Sequence, residues 1–212
     1  TEKDSDFSYV TEEGLTPRPP YVFLSNNCQY LEALAEVAWI AKSKGDRVVA
    51  EDAKSRYKQG VEALHRLFWM EDRQYFSPLI DGEGHQVKII NDDVLDGLWC
   101  GVFKQAYAEK VIARLLGPDM LTPWGIRSRS EDSNRFRVNG AEAYWNGAVW
   151  IHRQAIAAIG FEDYNHTDVA SILDERLGRL VAAKGRIELV CVDPQGNLLD
   201  YREHGKAAAC NP

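Results

Sequence analysis

Apolar positions recur along this chain mainly at helical spacing. Leu31, Leu34, Ala35 and Ala38 follow the i, i+3, i+4, i+7 pattern, so a first helix is expected from Asn26 to a stop at Gly45. Tyr57, Val61, Leu64 and Phe68 share one stripe of a second, from about Val49 to Trp69. Asp92 or Asp93 is placed to cap a short helix through Trp99. Phe103, Tyr107, Val111, Leu115 and Leu116 mark the next, closed by Gly117-Pro118. A fifth helix is expected from Val149 to Ile159, ending at Gly160. A sixth carries Val169, Ile172, Leu173, Leu177 and Leu180 and ends near Gly185.

The remainder breaks that rhythm. Residues 1–22 are polar and then proline-rich (Pro17, Pro19, Pro20), which predicts an extended lead-in. Tyr75 to Gln86 reads as one short hairpin turning at Asp81-Gly82. Residues 187–192 are apolar except for Glu188, and a loop with Pro194-Gln195-Gly196 follows. Residues 121–146 form a long irregular stretch rich in Trp, Arg, Ser and Asn, a feature uncommon unless it builds a site. The pattern predicts an all-α domain of helices in consecutive pairs, with one short β excursion. No fixed-period repeat is evident, which argues against a TPR or HEAT solenoid.

Composition narrows the class. The chain has 212 residues, 45% of them hydrophobic, and six Trp, enough for one sizeable core in a single domain spanning 1–212. A net charge of −7 argues against a nucleic-acid partner, which requires a Lys/Arg surplus. No apolar run is long enough to span a bilayer and no signal peptide opens the chain, so no membrane partner is expected. Cys28, Cys100, Cys191 and Cys210 form no C-x-x-C pair, and His65, His85, His152, His166 and His204 form no H-E-x-x-H. Idle thiols in a reducing, cytoplasmic setting are expected, with no metal site. The chain opens on Thr1, so something upstream is expected to have been removed or omitted.

The densest candidate chemistry lies in residues 121–150. There Trp124, Tyr144, Trp145 and Trp150 accompany Arg127 and Asn146. Sugar rings present apolar C–H faces fringed by hydroxyls, so a carbohydrate subsite combines aromatic plates with paired hydrogen-bonding groups. Any single one of these aromatics also suits a core. The cluster on a polar loop points to a site.

Those residues carry a resemblance. Leu115-Leu-Gly-Pro-Asp119-Met-Leu-Thr-Pro-Trp124-Gly-Ile-Arg127-Ser, followed by Tyr144-Trp-Asn-Gly-Ala-Val-Trp150, resembles the (α/α)6 six-hairpin glycosidases. Within them it most resembles the amylo-α-1,6-glucosidase (glycogen-debranching) catalytic domain. Processing α-glucosidase I and mannosylglycerate hydrolase resemble it more distantly. Cys210-Asn211-Pro212 resembles the start of a debranching-type Cys-x-Pro-Gln-Ala-Trp segment. The resemblance is specific mainly over residues 92–150 and 186–212. It implies an inverting glycoside hydrolase acting on α-glucosidic bonds of glycogen-like or related α-glucans, with no cofactor. One carboxylic acid protonates the leaving oxygen, and a carboxylate roughly 6.5–9.5 Å away activates water.

The resemblance assigns the base to Glu188, in Arg186-Ile-Glu188-Leu-Val-Cys. A carboxylate in an apolar run is costly unless paired or functional, although a strand can also turn it to solvent. The family's acid is an Asp in Trp-x-Asp-Ser. Glu2-Lys3-Asp4-Ser5 matches the Asp-Ser but has Glu in place of Trp, making Asp4 the candidate. Trp124, Arg127, Tyr144, Trp145, Asn146 and Trp150 are then the substrate subsite. Asp92 and Asp93 either cap a helix or bond sugar hydroxyls from its entrance. Glu131-Asp132 reads as solvated.

A full (α/α)6 barrel needs twelve helices, at about 11–12 residues each plus connections. The pattern here supplies roughly the C-terminal half. A half-barrel exposes apolar helix faces, so self-association or a missing N-terminal half is expected to complete it. Two other readings stand beside the hydrolase. One is a degenerate, non-catalytic carbohydrate-binding half-domain. The other is a helical interaction domain with no sugar site.

Overall fold

A computed structural model describes residues 9–185, 187–203 and 206–207. Its helices are α1 (Leu24–Ser43), α2 (Arg47–Phe68), α3 (Val94–Trp99), α4 (Gln105–Leu115), α5 (Ile151–Asp163) and α6 (Thr167–Lys184). The expected pairing is present: α1 lies against α2, and α5 against α6, while α3 is wedged between α1 and α5. The α1–α2 turn follows from sequence. Gly45 adopts φ +79°, and the Asp46 carboxylate then accepts a bond from Val49 N at 3.1 Å, capping α2. Apolar stripes from all six helices meet in one core that includes Leu31, Phe68, Leu98, Ile112, Phe161 and Leu173. Phe76 stacks on Phe103 within it, with ring centroids 4.1 Å apart.

Several boundaries differ from expectation for physical reasons. Helix α5 does not stop at Gly160 but runs on to Asp163. Gly160 is there for proximity: a Cβ on it would stand 2.9 Å from Leu98 Cβ and 3.0 Å from Trp99 N, so its bare backbone lets α3 close on α5. Helix α1 starts at Leu24, two residues early, because Leu24 N is satisfied by Pro78 O at 2.8 Å.

The single hairpin expected over Tyr75–Gln86 is divided. With β1 (Val22–Phe23), β2 (Trp69–Met70), β3 (Tyr75–Phe76) and β4 (Leu79–Ile80), β3 folds back on β2, while β4 pairs with β1. The bridge Ile80↔Gln86 and a bond from Asp81 N to His85 O (3.0 Å) close the turn. That turn spans Asp81–Gly84. Asp81 Oδ1 accepts from Glu83 N (3.0 Å) and His85 N (2.8 Å), and Gly84 takes φ +83°.

The irregular stretch opens on β5 (Leu121–Thr122) paired with β6 (Gly125–Ile126). Buried Arg129 organises the rest. Its guanidinium donates to Val10 O, Asn146 Oδ1, Glu12 Oε1 and Ser133 Oγ, each at 2.8 Å. A buried cation is tolerable only when bonded in this way. Next, β7 (Val149–Trp150) pairs antiparallel with β8 (Leu189–Val192), in the register Val149↔Val190 and Trp150↔Leu189, and β9 (Leu198–Leu199) adds to the far edge of β8. The apolar run near the end of the chain is thus a central strand, and it carries Glu188 to the edge of Trp150.

Candidate active site

One cleft of about 390 Å³ opens between the start of α3, the first turn of α5 and the side of α1. Its indoles are Trp99, Trp145 and Trp150, with the smaller rings of Tyr9 and His152, and its charged groups are Asp92, Asp93, Asp96 and Arg153. The volume lies toward the low end of the range for small-molecule sites.

Local sequence explains how each wall is formed. Asp92 and Asp96 are four positions apart, so the turn into α3 brings both carboxylates to one face. Arg153, three residues into α5, reaches across to them. Its Nε lies 3.2 Å from Asp92 Oδ2 and its Nη1 2.9 Å from Asp96 Oδ2, while Nη2 donates to Asp92 O. Asp93 occupies the capping position of α3, yet its side chain makes no cap bond. Asp93 Oδ2 is buried and has no hydrogen-bond partner among the described residues. Of the two readings of Asp92-Asp93, capping is therefore corrected: the first carboxylate clamps Arg153 and the second lines the cleft.

Electrostatics follow from burial. Desolvation raises the Asp92 carboxyl above its ordinary range despite Arg153. Asp93 is pushed to about 7 by desolvation and then by the charge of Asp92, with Arg153 opposing. Arg153 stays firmly charged, because Asp92 and Asp96 outweigh its loss of hydration. Burial, then the Arg153 charge, hold His152 toward its neutral form, with Asp96 and then Glu188 pulling the other way.

The aromatic wall is a layered set. Trp145 and Trp150 stack at 4.9 Å with 25° between planes. Tyr144 meets Trp150 edge-on at 4.4 Å, and Trp150 Nε1 donates to Tyr144 O at 2.9 Å. The Tyr144 hydroxyl donates to Glu188 Oε1 at 2.8 Å. Glu188 is exposed at the rim and not in the cleft lining, and its backbone oxygen accepts from Ile151 N at 3.1 Å.

The expected site residues divide accordingly. Trp145 and Trp150 line the cleft, and Tyr144 and Glu188 meet beside it. Arg127, Asn146 and Trp124 do not line it. Arg127 is buried, donating to Val192 O, to Asp193 O (3.2 Å) and to Glu131 Oε2 (3.0 Å). Glu131 is thus an ion-pair partner rather than a solvated acid. Asn146 bonds Arg129 and Glu142 O (2.9 Å), and Trp124 Nε1 donates to Gly196 O (3.1 Å). All three hold the irregular stretch together, because buried backbone and guanidinium groups require partners. Asp4, the expected acid, lies outside the described residues, as do Arg186 and Cys210-Asn211-Pro212. Sequence reasoning missed Trp99, Asp96, His152 and Arg153. The i, i+4 pair Asp92/Asp96 was the available signal.

The mannosylglycerate hydrolase MGH1-like glycoside hydrolase domain matches residues 20–191. No curated protein sequence matches the chain. The GH63 mannosylglycerate hydrolase from Thermus thermophilus, solved with Tris, is similar in structure with a TM-score of 0.71. Identity is 20%, over 86% of this chain and 42% of that one. Neutral trehalase Nth1 from Saccharomyces cerevisiae gives 0.67 and 17%, over 83% and 35%. A sialidase gives 0.71 and 14%, over 88% and 18%. The chain spans less than half the length of each. The shared fold is the (α/α)6 toroid of six-hairpin glycosidases, and the helical pairs here form part of one.

Proposed function

The chain belongs to the mannosylglycerate hydrolase MGH1-like glycoside hydrolase family, and from that premise we propose that it hydrolyses a small α-glucoside with inversion. The observation that carries this reading is the cleft itself, where three indoles face a set of buried carboxylates. Indole faces bind the C–H faces of a sugar ring, and the polar groups between them fix its hydroxyls.

In this reading Glu188 is the general base. Its bond from Tyr144 orients the carboxylate beside the Trp145–Trp150 stack, where it can take a proton from water. Asp4 is the proposed acid. Trp99, Trp145 and Trp150 are the sugar platform, and Tyr144 is a positioning residue. No cofactor or metal enters the proposal, because two carboxylates carry the proton transfers.

The glycogen-like substrate implied by the resemblance is the finer proposal. The modest cleft volume favours a disaccharide-sized ligand over a branched glucan. The named relatives, a mannosylglycerate hydrolase and a trehalase, are named for small glycosides as well. A cytoplasmic setting is also proposed, supported by the free thiols of Cys28, Cys100 and Cys191.

The test is hydrolysis of isomaltose, trehalose, mannosylglycerate and glycogen, followed by NMR of the first anomer released. Release of β-glucose from an α-linked substrate is expected. Glu188→Gln should abolish turnover while ligand quenching of Trp fluorescence persists. Undiminished turnover by that variant removes Glu188 from its role. Binding without hydrolysis by the native chain selects the non-catalytic reading.

A further inference from the structure

Among the described residues, the titratable groups that line the cleft, Tyr9 apart, come from two elements. Asp92, Asp93 and Asp96 belong to the start of α3, and His152 and Arg153 to the first turn of α5. From α1, Ser25 and Gln29 face it without charge, as does Tyr9. The guanidinium of Arg153 is bonded to Asp92 and Asp96, leaving Asp93 without a cation of its own. His152, held toward its neutral form, does not supply one. Among the described residues, one guanidinium stands against three carboxylates, which makes this lining negative, and Glu188 at the rim adds the same sign.

Asp93 also presents a requirement. Asn91 bonds its carboxyl, but Oδ2 has no partner among the described residues, and such a buried oxygen costs free energy until a donor reaches it. A sugar hydroxyl is such a donor. A carboxylate has no proton to give and meets like charge instead.

Resting on the reading of this cleft as the sugar site, we propose that it selects an uncharged glycoside and rejects one whose aglycone bears a carboxylate, with Asp93 as the specificity-determining residue. This sets the chain apart from a mannosylglycerate hydrolase, whose named substrate is an acid, although both share the fold.

Two matched pairs test it: mannosylglycerol against mannosylglycerate, and glucosylglycerol against glucosylglycerate. Within each pair only a CH2OH and a carboxylate differ. Binding is read by quenching of intrinsic Trp fluorescence at pH 8 and low salt, and turnover by kcat/KM. The neutral member should bind at least about tenfold more tightly, since repulsion between like charges in a partly buried site is weakly screened. In Asp93→Asn the gap should shrink to within about threefold, and Asp93→Ser, which removes the same charge, should agree. Equal or tighter binding of the acid by the native chain overturns the inference and leaves the glycosidase reading standing. An unchanged gap in both variants also overturns it. Binding of neither pair overturns the sugar-site reading, and this inference with it.

Discussion

Replacing Arg153 by Met puts the charge arrangement of the cleft to a direct test. The guanidinium contacts Asp92 at 3.2 Å and Asp96 at 2.9 Å, and all three side chains are largely buried. At an effective permittivity near 20, each contact has a gross Coulomb energy of about 4 kcal/mol, much of it offset by desolvation. Met fills most of the space but leaves two carboxylates uncompensated, for which a loss of about 3–5 kcal/mol is expected. That is a large part of a domain's typical stability of about 5–15 kcal/mol. The loss must depend on pH. Without Arg153, the Asp92 carboxyl, already raised by desolvation, loses the charge that lowers it and rises further above its unfolded value of about 3.9. The folded state then binds more protons than the unfolded one, so stability falls as pH rises and recovers on acidification. Urea unfolding followed by Trp fluorescence at pH 5 and pH 8, beside the native chain, reads both effects. A deficit under about 1 kcal/mol at pH 8, or one that is the same at both pH values, would show that the triad does not bear charge as described.

Other outcomes follow from particular contacts. Asp93→Asn should stabilise the chain by on the order of 2–4 kcal/mol at pH 8 and not at pH 4, because a carboxyl raised to about 7 opposes folding only where it must ionise; equal midpoints at pH 8 would contradict this. His65 accepts from Lys104 N at Nε2 (3.0 Å) while Nδ1 faces Val61 O (2.8 Å), a bonding pattern that only the neutral ring satisfies. Burial lowers its pKa from 6.5, so native stability should decline as pH falls below that value and His65→Gln should flatten the decline; parallel pH curves for the two would refute the assignment. Gly160→Ala should lower stability by about 1–2 kcal/mol despite alanine's better helix propensity, since its Cβ would meet Leu98 at 2.9 Å; a raised Tm would refute that contact. Trp39, Ile40 and Val48 expose apolar surface on and after α1, so concentration-dependent association is expected in light scattering and Trp39→Lys should reduce it; a monodisperse native monomer at high concentration would count against the expectation.

The sequence alone determined which segments become helices, because a buried stripe repeats every three or four residues and Gly45, Gly117 and Gly185 interrupt it. It also singled out Trp145 and Trp150, both of which line the cleft proposed here as the sugar site. Packing decided what periodicity cannot express. Gly160 reads as a stop until α3 lies against it. Arg127 and Asn146 read as sugar ligands until the irregular stretch needs them for its own buried groups. Asp92 and Arg153 are 61 positions apart, and nothing local to either predicts the other. Local pattern sets secondary structure because backbone and burial preferences act over a few residues. The cleft needed the tertiary structure, because its chemistry is made by charges and rings that meet only when separate helices close on one core.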